Sequence, residues 1–170
     1  MPVFIALLRA VNVGGTGKLP MRDLKILCEK LGFADVRTYI ASGNVIFESG
    51  KSEVQVKAAL EARLKAYAGK PVGVAVRTAR QLKTILAANP FPKAPPNRTV
   101  AIFLDARPPR KALGEVTGLK DEEVRLGTRE IYVHFPAGIG ASRLKIPAAR
   151  SGTARNMNTI ATLLALAGKS

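Results

Sequence analysis

The stretch Asp35 to Glu48, DVRTYIASGNVIFE, decides how the first half of the chain folds. Asp35 to Ile40 and Val45 to Glu48 are rich in the β-branched and aromatic residues that favour strands. The residues between them, Ala-Ser-Gly-Asn, have the composition of a turn. The stretch therefore predicts a β-hairpin.

The segments on either side of this hairpin complete the pattern. Before it, Val3 to Leu8 (VFIALL) is an unbroken apolar run typical of a buried strand, and a helix is predicted from about Pro20 to Leu31. After it, Ser52 with Gln55 forms a capping-box signature for a second helix, and Val72 to Val76 is a further strand. The order β-α-β-β-α-β predicts a ferredoxin-like (split βαβ) subdomain, with an antiparallel sheet and both helices on one face.

The second half starts this order again after a proline-rich connector. Residues 89–97, NPFPKAPPN, separate a first subdomain with a trailing helix (1–88) from a second α+β subdomain with C-terminal helices (98–170). No last strand is evident there, so we expect α+β architecture with two ferredoxin-like subdomains, the second incomplete. The elements predicted in the second half are strands Thr99 to Leu104, Glu122 to Leu126 and Arg129 to Phe135, and helices Pro109 to Val116, Ser142 to Ala149 and Thr153 to Ala167.

The formal charge of +15 is the strongest global signal in the sequence. It favours a phosphate-bearing ligand or nucleic acid as partner, although a solvated basic surface is the plainer alternative. The 40 residues after Glu130 contain no carboxylate, so this end should attract anions. No apolar run is long enough for a signal segment or a membrane span, and we expect a soluble, cytoplasmic protein without a membrane partner.

Residues for catalysis or metal binding are scarce. The chain has one cysteine, Cys28, on the apolar face of a predicted helix, and one histidine, His134, in a predicted strand. A buried small hydrophobe and an ordinary sheet residue are the expected roles. We predict no metal site and no cofactor, and no catalytic constellation is recognisable, so an enzyme is not favoured.

The stretch RAVNVGGTGKLP, from Arg9 to Pro20, superficially resembles a phosphate-binding loop. A P-loop requires glycine where this chain has Asn12, and a hydroxyl residue where it has Leu19. A dinucleotide loop requires its third glycine at Pro20. The stretch is therefore predicted to be neither.

Two polar segments should nevertheless adjoin at one end of the first sheet. In the split βαβ topology, the loop after the first strand lies beside the turn between the second and third strands. Glycines allow close backbone approach, and Arg and Asn side chains offer donors for an oxyanion, but the same residues also suit ordinary turns. The residues concerned are Arg9, Asn12, Gly14, Gly15, Ser42, Gly43 and Asn44.

A third polar segment is Thr153 to Thr159, TARNMNT, at the start of the last predicted helix. Arg155, Asn156 and Asn158 near a helix N-terminus indicate an anion site. Ordinary capping of the first turn by an asparagine or threonine is the alternative.

Several motifs together resemble a bacterial family called domain of unknown function 1697. They are RAVNVGG (Arg9 to Gly15), VRTYIASGNVIFES (Val36 to Ser49), NPF (Asn89 to Phe91), EIYVHFPAGIGASRL (Glu130 to Leu144) and TARNMNT. The resemblance implies two ferredoxin-like subdomains. It also favours a composite anion-binding site formed by Arg9, Asn12, Ser42, Asn44, Arg155, Asn156 and Asn158.

Three functions remain open from the sequence. The first is binding of a phosphate-bearing anion, with nucleic acid as its simplest form. The second is a small enzyme or sensor for a phosphorylated or carboxylated metabolite. The third is a purely structural role for the motif loops.

Overall fold

A computed structural model describes residues 1–9, 19–39 and 43–168 of the chain. The apolar run Val3–Leu8 is strand β1, which pairs antiparallel with β3 (Asn44–Glu48) and β4 (Val74–Thr78). Strand β2 (Ala34–Tyr39) pairs with β3, so the first sheet has the order β2-β3-β1-β4. The hairpin and the neighbouring positions of the first and third strands are confirmed.

Helices α1 (Met21–Lys30) and α2 (Glu53–Ala68) cover one face of this sheet. The capping box predicted for α2 is present, because the Ser52 hydroxyl accepts from the Gln55 amide and the Gln55 side chain accepts from the Ser52 amide. The helix ends at Gly69, whose φ of 74° is left-handed and favours glycine. These local signals explain why α2 begins after Ser52 and ends at Gly69.

The opposite face of the first sheet is buried as well. Ile5, Leu7 and Ile46 point to this face and are almost completely inaccessible. Arg77, opposite Ile5 on β4, is also buried and donates to the Val76 carbonyl oxygen at 2.9 Å. Neither face of the central strands is therefore available as an open platform. Helix α3 (Ala79–Ala87) follows β4 directly.

The second sheet has the order β6-β7-β5-β8 and is also antiparallel. Its strands are β5 (Thr99–Phe103), β6 (Glu123–Leu126), β7 (Glu130–His134) and β8 (Thr153–Asn156). The strands predicted at Glu122 to Leu126 and Arg129 to Phe135 are confirmed as β6 and β7, which pair as a hairpin. One face packs against Leu144, Ile146, Ala148 and Ala149 from the segment before β8. The α+β class with two antiparallel sheets is thus confirmed.

The second half differs from its prediction in two places. The helix predicted from Thr153 begins only at Met157 (α4, Met157–Ala167), and Thr153–Asn156 supplies the last strand that the sequence prediction lacked. The prediction that the second subdomain lacks its last strand was therefore wrong. The helices predicted over 109–116 and 142–149 are short 3-10 segments, Arg110–Glu115 and Pro147–Ala149. Pro147 lies inside the second predicted helix, where it removes an amide donor that an α-helix would need, and Gly114 in the first has a low helix propensity.

The chain forms two units: Met1–Thr84 with Thr162–Ser170, and Ile85–Ala161. The subdomain boundaries drawn at the proline-rich connector stay a prediction. No helix within the described ranges is long and apolar enough to cross a membrane.

Candidate functional site

The end of β1 adjoins the turn before β3, as the topology predicts. The Leu8 amide donates to the Gly43 carbonyl oxygen at 2.8 Å, and the Arg9 amide donates to the Gly73 carbonyl oxygen at 2.9 Å. The Arg9 side chain is exposed. Two of the three motif segments are therefore neighbours, and a cation lies where they meet.

Gly43 and Asn44 also have structural roles in this turn. Gly43 has a φ of 88°, which favours glycine. The Asn44 side chain is fully buried, and its Nδ2 donates to the Tyr39 carbonyl oxygen at 2.9 Å. This hydrogen bond closes the β2–β3 turn, as expected if turn chemistry selects the asparagine. The other predicted members of this cluster, Asn12, Gly14, Gly15 and Ser42, lie outside the described residues.

Arg155 lies on β8, opposite Ala101 of β5. Its side chain is half-buried, and its Nη1 donates to the Ala154 carbonyl oxygen at 2.8 Å. Burial lowers the pKa of the guanidinium from 12.5 to about 10. Arg155 therefore still carries a positive charge at neutral pH, in surroundings where a charge interacts more strongly than in bulk water.

Asn156 is the N-cap of helix α4. Its Oδ1 accepts from the Thr159 amide at 2.9 Å, three residues into the helix. This contact matches the capping alternative considered from the sequence. Asn158 is exposed in the first turn of α4. That all three motif segments contribute to one ligand site stays a prediction.

The second unit contains a cleft that sequence reasoning missed. It has a volume of about 370 Å³ and lies between the loop after Thr117 and the segment after β7. Glu122 is buried at its wall, where its carboxylate accepts from the Ser142 hydroxyl and from the Lys120 amide. The exposed side chains of Lys120 and Arg143 also line it, with Phe135. The residues that form it are up to 25 positions apart in sequence, which hid the cluster from motif reading.

A family model described as "Protein of unknown function (DUF1697)" matches residues 1–132. The chain belongs to this family. The DUF1697 chain is also similar in structure to "conserved bacterial protein SP0830 from Streptococcus pneumoniae", with a TM-score of 0.81 and 23% identity over 98% of both chains. At this identity the similarity shows a shared fold. No curated protein matches the chain significantly.

The NPF motif of this DUF1697 protein is explained by packing. The Asn89 side chain accepts from the Phe91 amide at 2.9 Å, which shapes the turn. The Phe91 ring lies 5.8 Å from the His134 ring, and the Arg125 guanidinium lies 5.8 Å from the Phe91 centroid. His134 is thus a sheet residue next to an aromatic ring, as the strand pattern predicts.

Cys28 of the DUF1697 protein is fully buried on α1. Burial raises the pKa of its thiol from 9.0 to about 12, with a smaller effect from the Glu29 charge. A thiol in this state is a poor nucleophile. Within the ranges that the structure describes, no three His, Cys, Asp or Glu side chains cluster as metal ligands would.

Proposed function

We propose that the protein binds a phosphate-bearing anion at the end of the first sheet, where Arg9 meets the Gly43 turn. The observation that carries this proposal is the hydrogen bond from Leu8 to Gly43, which brings an exposed arginine to a glycine turn. Backbone without side chains allows a ligand to approach closely, and a guanidinium suits an oxyanion. Asn12, Gly14, Gly15 and Ser42 are the further contributors proposed from the sequence.

A small ligand is favoured over nucleic acid by the burial of both faces of the first sheet. Single-stranded RNA is typically read by aromatic side chains on an open sheet face. Here Ile5, Leu7 and Ile46 fill one face of the first sheet, and Phe4 and Phe47 are buried on the other. This burial supports a phosphate group bound by loops. As to location, the single buried cysteine is compatible with a cytoplasmic protein.

The experiment is a titration of the protein with inorganic phosphate and with a nucleoside monophosphate at constant ionic strength. We expect Arg9→Gln to weaken saturable binding about tenfold, because a charge-assisted hydrogen bond is lost. Arg22→Gln is the matched control, since it removes the same charge from an exposed position on α1. Equal weakening by the two variants, or no saturable binding by the wild type, would contradict the proposal.

Arg155, Asn156 and Asn158 belong to the wider form of the proposal, in which the third motif contacts the same ligand. The charge that Arg155 keeps at neutral pH supports this form. The Arg9→Gln and Arg155→Gln variants, alone and together, test it as a double-mutant cycle. Effects on affinity that depend on each other support one shared ligand, whereas unaltered affinity in Arg155→Gln restricts the site to the first unit.

A structural role for the motif loops is the second candidate. It is favoured by two observed contacts, Asn44 to the Tyr39 carbonyl oxygen and Asn156 to the Thr159 amide. In that case Asn44→Ala should lower the unfolding midpoint and leave the affinity of the folded protein for every phosphate probe unchanged. Anion binding at this site predicts instead that Arg9→Gln lowers the affinity for the phosphate probes.

A further inference from the structure

The cleft of the second unit has walls fixed by backbone contacts. Thr117 and Lys145 form an isolated antiparallel bridge, with amide-to-carbonyl distances of 3.0 Å and 2.8 Å. Next to it, Gly118 has a φ of 73°, and an added Cβ would lie 2.1 Å from the Arg143 carbonyl oxygen. The two segments therefore touch with no space for a side chain, and the spacing across the cleft is set by the backbone.

Glu122 and Ser142 hold the same two segments together. The Ser142 hydroxyl donates to the Glu122 carboxylate and accepts from the Leu144 amide at 3.1 Å. The other carboxylate oxygen accepts from the Lys120 amide at 2.8 Å. Each of these polar atoms already has a partner within the protein, so we assign them to positioning the cleft and assign recognition to other side chains.

The charged groups left for recognition are Lys120, Asp121 and Arg143. All three are exposed, and the described part of the chain provides no ion-pair partner for their side chains. The ionised Glu122 also lines the cleft, so two cations face two carboxylates, but Glu122 is buried and hydrogen-bonded to Ser142 and to the Lys120 amide, whereas both cations are exposed. The half-buried Phe135 ring supplies apolar surface beside them. A volume of about 370 Å³ suits a small molecule.

We propose that this cleft binds a small organic oxyanion, a carboxylate or a phosphate monoester on an apolar body, between Lys120 and Arg143. The oxyanion contacts the two cations and the apolar body lies against Phe135. Asp121 disfavours a ligand with a second negative group near it. This site is separate from the one proposed at Arg9 and does not depend on it.

The test uses benzoate and phenyl phosphate as probes, with benzylamine as a cationic probe of similar shape. Amide chemical shifts of Gly118 and Gly138 are followed by NMR in the full chain at constant ionic strength. We expect saturable shifts with one or both anions, and the tighter anion tells whether carboxylate or phosphate is preferred. Lys120→Gln with Arg143→Gln should weaken binding more than about tenfold, through loss of two charged contacts.

Lys145→Gln is the matched control, because Lys145 is exposed beside the cleft without lining it. It should leave the affinity of the cleft for both anions unchanged. The proposal is overturned if neither anion gives saturable shifts in the wild type. It is equally overturned if benzylamine binds as tightly, or if Lys145→Gln weakens binding as much as the double variant. The wild-type titration keeps the test decisive even if a variant folds poorly.

Discussion

Glu122 is a buried carboxylate that the fold keeps ionised. The hydrogen bond from Ser142, and then that from the Lys120 amide, lower the pKa of its carboxyl group from 4.5 to about 2. Because the folded-state pKa lies below the unfolded-state value, ionised Glu122 stabilises the folded protein at pH above about 4.5. This stabilisation is lost as the pH falls from about 4.5 to about 2.

We therefore expect Glu122→Gln to be less stable than the wild type at neutral pH. The difference in free energy of unfolding should shrink as the pH is lowered through this window. Urea unfolding at a series of pH values measures it. Glu123→Gln removes the same charge from an exposed side chain and should change stability little. A constant difference between wild type and Glu122→Gln at all pH values would contradict this account.

The elements of the first half form where local signals and periodicity agree. Helix α2 has a capping box at its start and a left-handed glycine at its end, and both are recognisable in the sequence. Helix α4, in the second half, also begins with a side-chain cap, because the Asn156 Oδ1 accepts from the Thr159 amide. The cap belongs to a residue that is also the last of β8, so one asparagine ends a strand and starts a helix.

Asn156→Ala should destabilise the protein by about 1 kcal/mol, because the first turn of α4 loses its side-chain acceptor. Asn156→Asp keeps an acceptor at the cap and should retain most of the stability. Thermal and chemical unfolding measure both variants. The Asp variant also places a negative charge there, so weaker phosphate binding with normal stability would indicate that Asn156 contacts the ligand. Equal stability of all three proteins would exclude the cap as a contributor.

The strand β8 shows why sequence reasoning failed in one element. It has four residues, of which only Thr153 is β-branched, so it lacks the composition typical of a strand. Its pairing with β5 is a tertiary contact that no local pattern contains. The hydrogen bond from Leu8 to Gly43 is also a tertiary contact, but it was predictable because the topology requires the two segments to adjoin. The cleft at Glu122 and Ser142 was not predictable, because it depends on how irregular segments pack.

At the scale of the whole molecule, a net charge of +15 attracts polyanions whether or not a specific site exists. Both faces of the first sheet are buried, so this sheet offers no open face on which bases could stack. We therefore expect binding to RNA to be weak and insensitive to sequence. The net positive charge alone would then account for the binding to RNA.

Single-stranded RNA should be bound at about 20 mM NaCl and largely released by about 200 mM, with heparin behaving similarly. Fluorescence anisotropy across a salt series measures this. Heparin is the control, because it carries charge without bases. RNA binding that persists at the higher salt while heparin is released would show recognition of bases, and would favour nucleic acid over a small phosphate ligand as the natural partner.

The burial of Cys28 also allows the reactivity of its thiol to report on local opening of the first unit. The chain has one thiol, on the helix α1 that covers the first sheet, and its native state keeps that thiol protonated and out of solvent. A thiol reagent can reach it only when this layer opens, so the labelling rate measures local opening of the first unit. Any ligand that stabilises this unit would slow the labelling, even while the chemical identity of that ligand is undetermined.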